Sequence, residues 1–262
     1  MRLSPGGSAA IFTSGNGAGR VTASTIFLFH RIGDAAMFTE ALERRQFLSA
    51  TLNATSGLLT VTGTANADRI TVAKVDATKL LVTEQTRVPA TSTTPATTKT
   101  TRTRFDIAKV KSLLVNAAAG NDVVDVHSLS IPTTLNGGAG NDRLIGGRGK
   151  DVINGDAGND LLVGNAGDDS LSGGDGRDLL IGGAGADSLS GGAGSDFLVA
   201  RDGSGTDKVD GGANDAATKY VPGDVAFVDT GDAVTTVEKK FTSFGQLVSA
   251  YEQIFSSINR IA

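Results

Sequence analysis

The chain has 262 residues, 39% hydrophobic but only 5% aromatic, with no Trp, no Cys and a net charge of −4. Such low aromatic content argues against a bulky globular core, and the missing cysteines exclude a disulfide framework and a thiol nucleophile. The charge is uneven, at +5 over residues 1–136, −6 over 137–199 and −3 from Ala200 onward, which disfavours nucleic acid as a partner; no apolar run is long enough to span a membrane.

Residues 1–56 read as a poorly ordered or helical N-terminal segment. Ile26–Phe29 is a brief apolar patch, but Arg20 is a thin basic flank and no clear small-residue cleavage site follows, so a secretory signal peptide is a poor match. Residues 1–36 are either disordered or upstream of a second candidate start at Met37. From Thr39 to about Ser49 the spacing of Leu42, Phe47 and Leu48 predicts a helix. The stretch LERRQFLSA, ending at Ala50, resembles a short segment near the N-terminus of many large bacterial surface and secreted proteins.

From Gly57 the period changes to that of strands. Leu58–Thr62 alternates and is rich in branched residues, and Lys79–Thr83 and Arg104–Val115 read as further strands. Residues 57–136 are expected to form an irregular β-solenoid. Within it, Glu84–Thr103 is Thr-rich, contains Pro89 and Pro95, and is expected to be a mobile hairpin loop. Ala65–Val72 looks like a worn repeat unit, with Asp68 preceding Ile70. Ala117–Asp125 is a second, with Gly120, Asp122 and Val124 in register; the following Val126–Asn136 is longer and predicts a wider coil.

Seven nonapeptides then run without a break over residues 137–199, each with Gly at positions 1 and 4, Asp at position 6 and Ile or Leu at position 8. The glycines mark tight turns and the last three residues suit a very short strand. Position 8 then forms an internal row: Leu144, Ile153, Leu162, Leu171, Leu180, Leu189 and Leu198. Two nonapeptides close one coil and coils stack at about 4.8 Å. Alternate repeats share a side, so Asp142, Asp160, Asp178 and Asp196 fall in one column and Asp151, Asp169 and Asp187 in the other. Two carboxylates about 5 Å apart repel by roughly 3 kcal/mol at an effective dielectric of 20. Stacking the turns therefore calls for a cation. Ca²⁺, a hard ion that takes six to eight oxygens, suits carboxylates beside open glycine carbonyls.

The block resembles the haemolysin-type (RTX) calcium-binding nonapeptide repeat, consensus GGxGxDxUx. The resemblance implies an all-β, right-handed parallel β-roll (a β-solenoid) holding several Ca²⁺ ions between turns. It makes the position-6 carboxylates of Asp142, Asp151, Asp160, Asp169, Asp178, Asp187 and Asp196 ligands, with glycine carbonyls supplying the rest; Asp122 and Asp207 belong to worn copies at the borders. The sequence departs from the consensus at position 2, with Asp156 and Asn165, and at position 5, with Lys150 and Arg177. Those two cations either weaken nearby sites or point outward. The resemblance also implies a bacterial protein, extracellular or at the cell surface.

Residues 200–240 read as degenerate repeats. Gly203, Asp207 and Val209 keep register after a two-residue insertion, and Asp224–Val228 reads as a last strand. The Asp202–Asp207 run hints at an EF-hand loop, but its twelfth position is Ala213, which rules that out. Over residues 241–262, Phe241, Phe244, Val248, Tyr251, Phe255 and Ile258 recur at helical spacing, which predicts a C-terminal amphipathic helix covering the open end of the solenoid. The resemblance offers a C-terminal secretion signal as another role for this helix; pairing between two chains is a third.

Nothing in the chain favours catalysis. His30 and His127 lie outside any HExxH motif, no GxSxG is present, and Gly15–Gly19 lacks the strand and helix of a dinucleotide loop. The sequence points to a secreted or surface calcium-binding protein whose roll folds on binding the ion. The alternatives are an adhesin or matrix component using the roll as a spacer, with surface polysaccharide or self-association through the C-terminal helix as its contact, and the remnant of an RTX toxin or exoenzyme.

Overall fold

In a computed structural model, residues 49–90, 95–203, 205–213, 225–237 and 239–242 are described. The chain opens with β1 (Ser49–Leu52), β2 (Leu58–Thr62), β3 (Asp68–Lys74), β4 (Lys79–Val88) and β5 (Thr97–Asp106), followed by a single 3₁₀ turn, Ile107–Lys109. Next come β6 (Ser112–Ala119), β7 (Val123–Asp125), β8 (Thr133–Ala139), β9 (Arg143–Ile145), β10 (Asp151–Ala157), β11 (Leu161–Ala166), β12 (Ser170–Asp175), β13 (Leu179–Ala184), β14 (Ser188–Ala193) and β15 (Phe197–Ala200). The last strands are β16 (Lys208–Ala213), β17 (Val225–Val228), β18 (Ala233–Thr235) and β19 (Lys239–Phe241).

The strands alternate between two sheets. One runs β1-β2-β6-β8-β10-β12-β14-β16-β18 and the other β19-β17-β15-β13-β11-β9-β7-β3-β4-β5. From β6 onward every pairing is parallel, so the body is an all-β parallel solenoid. In the regular block the register advances by 18 residues per coil: Leu171 lies beside Ile153 and Leu189 beside Leu171. The wider coil is visible where Leu144 pairs with Val124, and the insertion after Val199 where Val209 pairs with Leu189.

All seven position-8 side chains are buried between the sheets, none more than 1% exposed. Their burial contributes roughly 1.5–3 kcal/mol each. Positions 7 and 9 turn outward, and the two outer faces differ. Leu161, Leu179, Phe197 and Val225 form one column of the second sheet, whereas Val152, Ser170, Ser188 and Lys208 form the matching column of the first.

Three expectations are corrected. The Thr-rich segment is a β-hairpin: β4 and β5 pair antiparallel from Lys79 opposite Asp106 to Val88 opposite Thr97. Threonine is β-branched and favours the pleated conformation, and Pro89 and Pro95 lie outside both strands. Val225–Val228 is not the last strand, since β18 and β19 add one more pairing to each sheet. Both helices are overwritten where the described residues reach them: Ser49 opens β1, which pairs antiparallel with β2, and Phe241 closes β19 opposite Phe227. The remainder of the C-terminal amphipathic helix, residues 243–262, and of the N-terminal one lies outside the described residues.

Candidate metal centre

The nine aspartates expected from the sequence stand in two stacked columns, and the structure adds a residue to each. One column holds Asp68, Asp122, Asp142, Asp160, Asp178 and Asp196; the other holds Asp151, Asp169, Asp187, Asp207 and Asp232. All are buried, Asp232 the least so at 9% exposed. Asp68 is the turn aspartate of the worn Ala65–Val72 unit. Nothing in the sequence marks Asp232, because the residues around it keep no nonapeptide frame.

A reciprocal pair of hydrogen bonds builds each column. The backbone N–H of Asp142 donates to Oδ1 of Asp160 at 2.7 Å, and the N–H of Leu161, one residue further on, donates back to the Asp142 carbonyl at 2.9 Å. The same exchange joins Asp160 to Asp178 and Asp169 to Asp187. One carboxylate oxygen is thereby spent on clamping adjacent coils.

The other oxygen is the informative one. Oδ2 of Asp122, Asp142, Asp160, Asp169, Asp178, Asp187 and Asp207 is buried and accepts no hydrogen bond. Asp151 differs: its Oδ2 accepts the Gly147 N–H at 2.6 Å, and its Oδ1 takes the Thr133 N–H and hydroxyl. An unpaired buried carboxylate oxygen costs several kcal/mol unless a proton or a cation meets it.

Position-1 glycines form the wall beside these oxygens. A Cβ on Gly146 would stand 2.7 Å from Asp151 Oδ2 and 2.8 Å from the Gly164 carbonyl oxygen; one on Gly137 would stand 2.8 Å from the Gly155 carbonyl and collide with Asp142 Oδ2. A carboxylate of one repeat and a carbonyl of the next coil thus converge where only glycine leaves room. At position 2 of every repeat but the second, where Gly147 stands, the backbone takes φ near +74° to +114°, which Gly138, Gly174, Gly183 and Gly192 adopt freely. Asp156 and Asn165, the two departures there, hold the same conformation, which short polar side chains tolerate best. Asn165 also donates its amide to the Gly146 carbonyl at 2.8 Å. Lys150 and Arg177 both point outward into solvent.

Burial is the leading cause that raises the carboxyls of the columns. Asp122, Asp169 and Asp178 are pushed up to about 7, and Asp142 and Asp207 to about 6. The backbone N–H received by each carboxylate pulls the other way, and neighbouring aspartates push further up. Asp151, Asp160 and Asp187 are raised by burial as well. Among the described residues no three His, Cys, Asp or Glu side chains gather around one point. Carboxylates alone therefore form no cage, and backbone carbonyls have to complete any coordination. Orphaned carboxylate oxygens, carbonyls in a side-chain-free cradle and net negative charge together fit a hard divalent cation.

Residues 133–162 and 163–198 match the family model described as RTX calcium-binding nonapeptide repeat, in four copies. The match begins at Thr133, where β8 begins, and ends at Leu198 within β15. The chain matches no curated protein and no solved structure.

Proposed function

We propose that this is a calcium-binding repeat protein of the bacterial exterior, whose regular coils order when the ion is supplied. The observation that carries the reading is the run of buried Oδ2 atoms without a hydrogen-bond partner, in a block that matches RTX calcium-binding repeats. Bound calcium supplies two positive charges and a demand for six to eight oxygens. Asp142, Asp160 and Asp178 would hold it along one column, and Asp169, Asp187 and Asp207 along the other. The position-1 glycine carbonyls, such as those of Gly155 and Gly164, are the neutral ligands at hand.

What the chain contributes follows from its own residues. Without a cation, the aspartates repel one another along each column while their Oδ1 atoms still accept the backbone N–H of the preceding coil. Repulsion and clamp therefore oppose each other, and neutralising the Oδ2 row tips the balance toward stacking. Extracellular modules bind calcium with dissociation constants of about 10⁻⁴–10⁻³ M. Such sites stay empty in a calcium-poor cytosol and fill outside, which fits a chain with no cysteine to staple it. Binding, with no catalysis, is the role this arrangement supports.

Far-UV circular dichroism of the full chain in chelator and then in millimolar calcium tests the reading. The expected result is a gain in β signal with calcium, rising sigmoidally because neighbouring sites share aspartates. A spectrum equally β-rich in chelator and unchanged by calcium sinks it.

A further inference from the structure

One buried acidic cluster lies outside the nonapeptides, where the irregular first coil meets the hairpin. Asp68 is the first member of its column. Its Oδ2 accepts the N–H of Thr64 at 2.6 Å, and its N–H donates to Asp122 Oδ1 at 2.7 Å. In the regular coils Oδ1 would accept from the preceding coil. Here strand β4 of the hairpin occupies that neighbouring place, and Asp68 Oδ1 is left buried with no hydrogen-bond partner.

Strand β4 brings oxygens of its own to the same face. In the antiparallel register Thr86 lies directly opposite Asp68, and Glu84 lies opposite Ile70, diagonal to Asp68 and within reach of a long side chain. Glu84 is 1% exposed and Thr86 5%. Glu84 Oε1 and Thr86 Oγ1 are buried and have no hydrogen-bond partner either. A glutamate in the middle of a strand, flanked inward by Val82 and Thr86, has no packing reason to be there: Leu80 and Val82 fill the equivalent inward positions with aliphatic carbon. Burial, with the nearby Asp68 charge adding to it, pushes the Glu84 carboxyl up to about 7.

We propose that the hairpin completes a divalent-cation site at the N-terminal end of one acidic column, with Asp68, Glu84 and the Thr86 hydroxyl as its side-chain ligands. Two carboxylates balance the charge of one such ion, and three orphaned oxygens acquire a partner at once. The site lies outside the repeat block and uses a glutamate from a strand that no nonapeptide contains. It ties the hairpin to the first coil as the repeat sites tie coil to coil. Two other sources of positive charge compete with it. One is a proton shared between Glu84 and Asp68. The other is the ammonium of Lys99, which stands across from Thr86 on β5.

The inference rests on the calcium reading of the repeats, and the experiment separates the two. The full-length chain and its Glu84→Gln variant are dialysed against calcium, bound ions are counted by elemental analysis, and hydrogen exchange is followed by mass spectrometry with and without chelator. Glu84→Gln should hold one ion fewer per chain. It should also lose the calcium-induced protection of residues 79–88 while residues 137–199 keep theirs. Thr86→Val, which removes only an oxygen, serves if the first variant fails to fold, and should weaken the response of the same segment alone. An unchanged ion count with unchanged protection in either folded variant overturns the site. So does a wild-type 79–88 segment equally protected in chelator, the outcome expected if the proton or Lys99 neutralises Glu84. Repeats that respond beside an indifferent 79–88 segment overturn this site alone; silence in both overturns the calcium reading with it.

Discussion

The first coils and the regular coils fill the same two-sheet frame differently. In the first coils three solenoid strands bury two aliphatic side chains each: Leu59 and Val61 in β2, Ile70 and Val72 in β3, and Leu113 and Val115 in β6. In the regular coils each strand buries one, as with Ile153 in β10 and Leu171 in β12, and the inward positions on either side are an aspartate and a glycine. Each aliphatic layer given up forgoes roughly 1.5–3 kcal/mol per side chain. What replaces it is a row of carboxylates that repel until neutralised. Under the proposed function this is a division of labour along one solenoid, with an end held by packing and a middle whose cohesion would depend on neutralising its charge.

Two changes probe that division, the larger first. Asp160→Ala removes the acceptor of the Asp142 N–H and should destabilise the regular block by about 1–3 kcal/mol in any buffer. Asp160→Asn keeps an oxygen for that N–H and places an amide beside the Gly173 carbonyl. In chelator it should be neutral or stabilising, because one buried charge is gone, while its calcium response falls. Thermal melts of both variants with and without calcium check this, and an Asn variant that loses stability in chelator as Ala does would count against charge as the governing factor.

The smaller effect is of pH. A carboxyl raised in the folded state binds its proton more tightly there than in the unfolded chain, so stability is present in full below the ordinary carboxylate range and is lost as pH climbs toward about 7. Chelated protein should therefore melt at a higher temperature near pH 5 than near pH 8. In calcium the trend should reverse, since protons compete with the ion for the same oxygens. A melt that rises with pH in chelator would show the aspartates to be ionised and satisfied without metal.

Strict periodicity made the regular block legible. A position-8 aliphatic and a position-6 aspartate at fixed spacing could only stack, and Asp142 through Asp196 lie where that spacing puts them. The register shifts at Val126–Asn136 and after Val199 could be read for the same reason. The reach of the hairpin's strands to Val88 and Thr97 was not legible, because its threonines and prolines also suit loop composition, whereas the β propensity of threonine favours strands. Glu84 was hidden with it: nothing local marks a glutamate as buried until β4 is placed beside β3. Strand β1 was hidden by the helical spacing that runs up to Ser49, although Asn53 and Gly57, which close its turn onto β2, were available signals. Strands β18 and β19 and Asp232 follow irregular connections in which no repeat frame survives.

Hydrogen exchange across the whole chain, compared in chelator and in millimolar calcium, tests the account most directly. Residues 137–199 should be only weakly protected in chelator and become strongly protected in calcium, while the β2, β3 and β6 segments around Leu59, Ile70 and Leu113 should be strongly protected in both. Equal protection of both regions in chelator, with no change on adding calcium, would contradict it.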